Sequence, residues 1–499
     1  MKTPAFDVLI QGGELIDGNR RPRYRADVGI RGTLIAALGD LSTATAQRVI
    51  DARGKIVAPG FIDAHSHDDQ ALLLQPQMPF KLSQGVTAVV TGNCGISAAP
   101  LHPDSPVPAP LNLLSDTATR FPTFQAYVGA LHESPAAVHV IPLVGHSTLR
   151  VVAMADLDRD ASPDEIAQMQ ALLREALAAG AVGLSSGTYY PPAAAASTQE
   201  LCRVAQPLAE YGALYVSHLR DEAAHSQLSI HESLQVGLRA GTGVVISHHK
   251  LQGASNWGNS ALTLPQIEAA MRRQCLSLDC YPYHASSTIL HLQEERLLGK
   301  IVIADSGPYP ELQGQELGDI ARRWQVSRAE ASARLQPASA IYFNMDEADV
   351  QRILAFGPTM IGSDGVPSNE RPHPRLWGTF PRVLGHYSRD LGLFPLETAV
   401  WKMTGLTAQV FGIDKRGVLA DGHYADLCVF DPQTVRDTAT FDDPKQPATG
   451  IDCVIVNGAI AYEQGVYQGS RTGTVLRRTV PAQVSPGWQT LHNTPSSSP

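Results

Sequence analysis

The stretch IVAPGFIDAHSH, residues 56–67, joins an apolar run to two histidines that stand two residues apart. In an extended chain, side chains at i and i+2 lie on one face, so His65 and His67 are able to reach the same ion. The run itself reads as a buried strand. We therefore expect a strand whose carboxyl end carries functional groups, and the same arrangement recurs along the middle of the chain.

Eight apolar runs of this kind alternate with helical segments such as SPDEIAQMQALLREALAAG (162–180), which has a Ser N-cap and a terminal Gly. Alternating strands and helices predict an α/β fold, and eight units predict a (β/α)8 barrel of the TIM type over residues 57–414. Of the other seven runs, one ends at Gly187 and one surrounds Tyr281. The remaining five precede Cys94, His146, His218, His248 and Asp364.

The two ends of the chain differ from this middle. Residues 1–56 and 415–480 contain short strand-like runs broken by Gly, such as FDVLIQGGELIDG and IDCVIVNGAIAYEQG. We expect them to form one small β-sandwich domain built from both termini. Residues 285–345 exceed a normal connection and contain helical patterns, which predicts an insertion near the barrel mouth. The Pro/Ser-rich stretch 481–499 predicts a loose tail.

Composition narrows the class of protein. The chain of 499 residues has 39 basic and 48 acidic side chains, a net charge of −9, which gives no general attraction for nucleic acid or anionic membranes. Six scattered cysteines favour a reducing compartment over a disulfide framework. With neither a signal-peptide pattern nor a membrane-spanning run, we expect a cytoplasmic protein, monomeric or a small homo-oligomer.

The strand ends carry a candidate metal site. Imidazole, thiolate and carboxylate groups are the donors that zinc takes, with positions left for water and substrate. A single His usually satisfies local hydrogen bonds instead, but six potential ligands at the ends of five strands favour a metal centre. These six are His65, His67, Cys94, His218, His248 and Asp364. The GLSSG segment (183–187) fits a hydrolase nucleophile pattern, and we interpret it as a strand-end turn.

Several motifs together resemble the N-acyl-D-amino-acid deacylases (D-aminoacylases) of the amidohydrolase superfamily, and the N-acyl-D-glutamate deacylases among them. The resemblance runs from residue 6 to about residue 470. It rests on PGFIDAHSHDD, TGNCGIS, GLSSGTYYPP, VSHLRDE, ISHHK, DCYPYHASST, IGSDG and HPRLWGTFPRVLG, which occur in that order.

The resemblance implies zinc-dependent hydrolysis of the amide bond of an N-acyl-D-amino acid. Many related enzymes bridge two metals with a carbamylated Lys, but this chain has no Lys between Lys81 and Lys250. The resemblance therefore implies Cys94 as the bridge, with His218 and His248 completing a tight zinc site. It places His65, His67 and Asp364 at a second position, weakly filled or empty. Asp364 is implied as the general acid and base, or else as a plain ligand.

The resemblance also implies a substrate site. It assigns the substrate α-carboxylate to Lys250, Tyr281, Ser287 and Arg375, with Tyr283 less certain, and side-chain pocket positions to Tyr189, Tyr342 and Met345. Lys250 alternatively is a surface side chain at a strand end. In STILHLQEERLLG (287–299), Arg296 stands near a Leu of members that prefer apolar substrates.

Arg296 leads to a hypothesis about the substrate. A buried cation needs a partner, so we expect an acidic substrate side chain, D-glutamate or D-aspartate. Alternatively, Arg296 pairs with Glu294 or Glu295 and the enzyme prefers apolar substrates. Two further alternatives are a cyclic-amide hydrolase of the hydantoinase type, which the missing mid-barrel Lys disfavours, and an inactive metal-binding scaffold.

Overall fold

The computed structural model describes residues 4–368 and 370–479 of the chain, and the expected tail 481–499 lies outside them. Its centre is a barrel of parallel strands, which confirms the expected fold. The strands lie in two sheets, one of three strands and one of six. In barrel order they are Phe61–Asp63, Val86–Thr91, His139–Pro142 with its continuation Val144–Gly145, Gly183–Gly187, Leu214–His218, Gly243–Ile246, Leu276–Cys280 and Thr359–Ile361.

Hydrogen bonds between the first and the eighth barrel strand close the barrel. The N–H of Ala64 donates to the Ile361 carbonyl at 3.1 Å, and the N–H of Asp364 donates to the His65 carbonyl at 2.8 Å. Two candidate ligand segments are therefore neighbours in space although 297 residues separate His67 from Asp364 along the chain. Closure brings all eight carboxyl ends to one face of the barrel.

Helices surround the barrel. The helix Pro163–Ala179 begins with a full capping box between Ser162 and Glu165 and ends at Gly180, as its sequence predicts. The other α-helices outside the insertion, among the described residues, are Ala71–Leu74, Pro79–Leu82, Phe124–Glu133, His146–Ala153, Pro191–Ala194, Thr198–Val204, Leu208–Tyr211, Ser226–Ala240, Ser260–Met271, Glu347–Ala355, Arg375–Arg382, Leu396–Met403 and Gly405–Phe411, and a π-helix, Val383–Asp390, continues Arg375–Arg382. Among the described residues, no helix is long and apolar enough to cross a membrane.

Strands from both ends of the chain form two further sheets. One contains Phe6–Gln11, Asp27–Arg31, Leu34–Gly39 and Ala46–Asp51. The other contains Glu14–Leu15, Tyr24–Arg25, Ile56–Pro59, Leu427–Phe430, Ile451–Val456, Ala459–Glu463 and Val466–Tyr467. Side chains from both sheets, such as Ile30 and Val429, share one buried cluster, which makes the pair a sandwich. The strand Ile56–Pro59 pairs in this sandwich, so only Phe61–Asp63 of the opening stretch enters the barrel.

The insertion contains a feature that the helical patterns did not indicate. Three antiparallel strands, Ser286–Ile289, Lys300–Ser306 and Ala338–Phe343, form a separate small sheet. The two expected helices, Leu317–Trp324 and Arg328–Leu335, pack in the same buried cluster as this sheet. The strands are short and lack a clean alternation, so their pattern carried little signal. The domain boundaries given above stay a prediction.

A buried ion pair joins three helical segments outside the barrel. Arg150 donates from Nη1 to both carboxylate oxygens of Glu200, which also accepts the N–H of Ala161 at 2.7 Å, and His146 Nε2 lies 3.0 Å from Glu200 Oε1. Burial by itself raises the pKa of Glu200, but His146 and Arg150 lower it to about 2. Removing one partner of such a pair leaves the other charge buried without compensation.

We predict that Glu200→Gln lowers the free energy of unfolding by about 3–5 kcal/mol at neutral pH, measured by denaturant unfolding. The matched control is Glu210→Gln, which breaks the exposed Arg174–Glu210 pair and leaves the free energy of unfolding nearly unchanged. The folded-state pKa of Glu200 lies below its unfolded value of 4.5, so its contribution is complete above pH 4.5 and is lost as the pH falls towards 2. Equal losses in both variants at neutral pH would contradict this account.

Candidate metal centre

The carboxyl ends of five barrel strands bring the six expected ligands together. Their donor atoms form two groups, and within each group all atoms lie within 4.8 Å of one another. One group contains Cys94, His218 and His248, and the other contains His65, His67, Cys94 and Asp364. Cys94 belongs to both groups, which is the position a bridging ligand requires.

The thiol of Cys94 lies at the centre of this cluster. Its Sγ is 3.3 Å from Nε2 of His65, 3.3 Å from Nε2 of His248 and 3.4 Å from Nδ1 of His218. Burial by itself raises the pKa of the Cys94 thiol, but His65, His248 and His218 together lower it well below its ordinary value. The site therefore favours the thiolate, which is the form that binds metals.

Three of the six ligands have left-handed backbone, with φ of 55° at Cys94, 33° at His248 and 48° at Asp364. Residues with a side chain rarely adopt this conformation, and each instance costs on the order of 1–3 kcal/mol. The Cys94 turn also needs space: a Cβ on Gly187 would lie 2.1 Å from the Cys94 carbonyl oxygen. The last Gly of GLSSG thus makes room for the Cys94 turn, in agreement with its interpretation as a strand end.

The second group is anchored by Asp364. Its Oδ1 lies 3.2 Å from Nε2 of His67 and 3.5 Å from Nε2 of His65, while its Oδ2 pairs with Nη1 of Arg375 at 2.9 Å. Burial by itself raises the pKa of Asp364, but Arg375 and the neighbouring imidazoles hold it well below its usual range. Asp364 is therefore held as a carboxylate beside the ligands.

Two carboxylates behind the imidazoles were not found by sequence reasoning. Glu222 Oε1 lies 3.1 Å from Nδ1 of His248 and accepts from Lys250 Nζ at 2.6 Å, and Glu222 Oε2 lies 3.9 Å from Nε2 of His218. Asp279 Oδ1 lies 3.5 Å from Nδ1 of His65 and accepts the backbone N–H of His248 at 2.9 Å.

Such carboxylates orient the ring of a ligating histidine and raise its basicity. The available signals were the position of Glu222 four residues after His218, in VSHLRDE, and an acidic residue inside the otherwise buried strand LSLDC.

A buried lysine fixes the first ligand loop. Lys81 Nζ donates to Asp63 Oδ2 at 2.7 Å and to Ser363 Oγ at 3.0 Å, and it lies 3.1 Å from Asp68 Oδ2. The same Asp63 accepts the backbone N–H of His65 and of Ser363. The loops that carry His65 and Asp364 are thus tied to each other behind the site.

Of the residues expected to bind the α-carboxylate, Arg375, Tyr281, Ser287 and Lys250 lie near one another, whereas Tyr283 lies apart. Arg375 is buried, its guanidinium carbon lies 4.5 Å from the Tyr281 ring centre, and its Nη2 donates to the Ser287 carbonyl at 3.1 Å. Within the described chain, its Nε has no hydrogen-bond partner. Lys250 is buried rather than on the surface, and it lies 5.6 Å from the Tyr281 ring centre.

Tyr283 lies apart from the ligands. Its ring contacts His373, Phe441 and the Arg382 guanidinium, and none of the six ligand side chains is among its contacts in the described residues. The barrel strand ends at Cys280 and the N–H of Tyr283 donates to the Tyr281 carbonyl at 3.0 Å, so the two tyrosines are not in one extended segment.

Of the expected side-chain pocket positions, Tyr189 lies closest to the ligands, with its ring 5.2 Å from that of His218. The guanidinium carbon of Arg296 lies 4.4 Å from the Tyr189 ring centre. Arg296 is exposed rather than buried, and the ion pairs found in the described chain include none between it and Glu294 or Glu295. Tyr342 binds the backbone of His291 and Ile289, and Met345 accepts the Tyr281 hydroxyl at 3.6 Å.

Comparison with known proteins agrees with this geometry. A model of the Amidohydrolase family matches residues 48–284 and 320–462. The chain is 56% identical to a D-aminoacylase from Alcaligenes xylosoxydans xylosoxydans over 475 residues, which are 95% of this chain and 98% of the relative. The chain belongs to the D-aminoacylase family of amidohydrolases. It is thus a hydrolase of amide bonds, as the sequence motifs imply.

Solved structures of the D-aminoacylase family superpose closely on the chain. One is a D-aminoacylase, studied for the functional role of its binuclear metal centre, with a TM-score of 0.93, 56% identity, and coverage of 95% of this chain and 100% of that one. Another is an N-acyl-D-glutamate deacylase from Bordetella bronchiseptica, complexed with zinc and a phosphonate inhibitor. Its TM-score is 0.92 at 46% identity, with coverage of 95% and 99%. Hydantoinases share only the fold, at 15–18% identity.

The donor set fits the metal that the family implies. In a tetrahedral zinc site with a Zn–S distance of about 2.3 Å and a Zn–N distance of about 2.0–2.1 Å, sulfur and nitrogen ligands lie roughly 3.5 Å apart. The three separations around Cys94 Sγ, between 3.3 and 3.4 Å, agree with this value. The protein is a metal-dependent member of its family.

We predict that Glu222→Gln weakens zinc binding roughly 10- to 100-fold, because the carboxylate beside His248 and Lys250 loses its charge. The measurement is competition against a chelator. The matched control is Glu232→Gln, whose carboxylate accepts from Arg220 and contacts no ligand. Cys94→Ala removes the ligand that both groups share, so its zinc affinity is the reference for a protein in which both groups are incomplete. A Glu222→Gln protein that binds zinc as the parent does would contradict this role.

Proposed function

We propose that the protein hydrolyses N-acyl-D-amino acids to a carboxylate and a free D-amino acid, with D-glutamate or D-aspartate preferred. The observation that carries the proposal is a pair of ligand groups joined by Cys94, with Asp364 beside them paired to a buried Arg375. It occurs in a chain whose relatives include a D-aminoacylase and an N-acyl-D-glutamate deacylase. Nothing in this arrangement offers the mid-barrel Lys that would favour a cyclic-amide hydrolase.

For the metal, we propose zinc held tightly by Cys94, His218 and His248. The second position is formed by His65, His67 and Asp364 with Cys94, and it is weakly filled or empty. Three donors in the first group leave a position for water or substrate. The carboxylate of Glu222 lies 3.1 Å from Nδ1 of His248, whereas Nε2 of His67 lies 3.2 Å from Oδ1 of Asp364.

When bound, zinc polarises the amide carbonyl and activates water for attack. The chain itself supplies the proton transfers. Asp364 Oδ1 faces the ligands and accepts the proton of the attacking water, then returns it to the leaving amino group. Arg375 keeps Asp364 ionised before the reaction, which is the state a general base requires.

The same arginine is well placed for the substrate α-carboxylate. The Nε–H of Arg375 is buried and free of a protein partner, and a buried cationic donor of this kind is costly unless a ligand binds it. The Tyr281 hydroxyl and Lys250 lie on the same side, although Lys250 is already paired with Glu222. We propose Arg375 as the principal partner, with Tyr281, Ser287 and Lys250 around it.

For the substrate side chain, we propose Arg296 as the determinant, with Tyr189, Tyr342 and Met345 around it. Its guanidinium rests on Tyr189 and remains exposed towards solvent, so its donors are available to a carboxylate. The cytoplasmic location and the monomeric or small oligomeric state stay predictions of the sequence.

We predict that Asp364→Asn lowers kcat for N-acetyl-D-glutamate by roughly 10²- to 10⁴-fold while the zinc held by Cys94, His218 and His248 is retained. An amide cannot accept the proton, but it occupies the same space. Metal analysis and steady-state kinetics on one preparation separate the two effects. A variant that keeps the parent rate would refute the base role, and one that loses all zinc would make Asp364 a plain ligand.

We predict that the parent hydrolyses N-acetyl-D-glutamate with higher kcat/KM than N-acetyl-D-leucine, and that Arg296→Leu reverses the order. Loss of one charge-assisted contact corresponds to roughly tenfold or more in kcat/KM for the acidic substrate. Arg334→Leu, on an exposed helix of the insertion, is the matched control. Preference of the parent for the leucine substrate would favour the apolar alternative, and hydrolysis of neither substrate would overturn the proposed function.

A further inference from the structure

Two cavities meet at the second ligand group. The larger, of about 160 Å³, opens beside His67, and the smaller, of about 30 Å³, lies between His67 and Asp364 on one side and Tyr190 on the other. They share His67, Ile96, Leu113 and Val366 as lining residues, so they are adjacent at the metal centre. Since one water needs roughly 10–15 Å³, the larger cavity holds a chain of several atoms.

The wall of the larger cavity is mostly apolar. Of its thirteen lining residues, none is Lys or Arg, and the one carboxylate is that of Asp69, which accepts the N–H of Gly92 at 3.2 Å. Apart from His67 at its inner end, the lining offers an anionic group no basic side chain, whereas a hydrocarbon chain would bury its surface along the apolar wall. The apolar lining consists of Leu74, Ile96, Leu113, Leu114, Val366 and Pro367, together with Ala71.

The outer end of this cavity reaches the surface. Leu74 is 50% exposed, and Ser115 and Ser368, which also line the cavity, are exposed. A chain that begins at His67 and exceeds the length of the cavity is therefore able to continue into solvent. The cavity therefore selects a bound chain by its polarity, and it places less restriction on how long that chain is.

An N-acyl-D-amino acid has three parts besides the scissile amide: the α-carboxylate, the side chain and the acyl chain. The residues proposed for the first two, around Arg375 and Arg296, are absent from the lining of the larger cavity. The amide must lie at the ligands, so the acyl chain extends from there into the remaining space. We propose that the larger cavity binds the acyl chain and selects neutral apolar acyl groups; this rests on the proposed function.

The test compares N-acetyl-, N-hexanoyl- and N-succinyl-D-glutamate as substrates of the zinc-loaded parent. We expect kcat/KM for the hexanoyl substrate to equal or exceed that for the acetyl substrate, and the succinyl substrate to fall at least tenfold below the hexanoyl one. Isothermal titration of the acetyl and hexanoyl compounds into Asp364→Asn gives a binding readout without turnover. Here we expect the hexanoyl compound to bind at least fivefold more tightly.

Two substitutions at one rim position locate the effect. Leu74→Trp fills the cavity, and we expect it to lower the hexanoyl-to-acetyl ratio of kcat/KM at least fivefold. Leu74→Lys supplies a cation, and we expect it to raise the succinyl-to-hexanoyl ratio at least fivefold, a gain that misfolding does not produce. The matched control is Leu262→Trp, an exposed leucine on the helix Ser260–Met271 outside the cavity lining, which keeps the parent ratios.

The outcomes separate this proposal from the one on which it rests. A parent that hydrolyses none of the three substrates overturns both proposals. A parent that hydrolyses them, with acyl ratios that both Leu74 variants leave unchanged, overturns the acyl site alone. Equal changes in Leu74→Trp and Leu262→Trp also overturn it, because the effect would then not come from the cavity.

Discussion

The structure depends on placing one thiolate where three imidazoles converge. Cys94 Sγ lies within 3.4 Å of a nitrogen of His65, His218 and His248, and both ligand groups contain it. The backbone adopts a left-handed conformation to reach this position, and a neighbouring strand gives it room at Gly187. A barrel of eight strands is what supplies enough strand ends around one point for this arrangement.

Around that thiolate, the barrel end is a set of compensated buried charges. Glu222 and Lys250 pair behind His248, Asp364 and Arg375 pair on the opposite side, and Lys81 lies between Asp63 and Asp68. Isolated, each of these charges would cost several kcal/mol of desolvation, so pairing is the condition for keeping them. These pairs hold the donors rigidly. Apolar side chains packed in the same positions would have given the folded protein more stability.

The residues proposed for substrate discrimination lie farther out, on segments that follow the barrel strands or belong to the insertion. Arg296 is in the insertion, and the cavity beside His67 is bounded by the loop that contains Leu113 and by residues after Asp364. On these proposals, the strand ends hold the candidate ligands while the loops above them hold the specificity groups.

The sequence by itself predicted the barrel and the six candidate ligands, because each of these residues follows an apolar run that reads as a barrel strand. The absence of Lys between Lys81 and Lys250 also pointed to Cys94, given the family resemblance. Only the tertiary structure decided which groups stand behind the ligands. Glu222 reaches His248 from the segment after the preceding strand, and Asp279 approaches His65 past the eighth strand, contacts that no local spacing encodes. The tertiary structure also decided that Tyr283 lies apart from Tyr281 and that Arg296 is exposed, because loop conformation depends on packing against the rest of the chain.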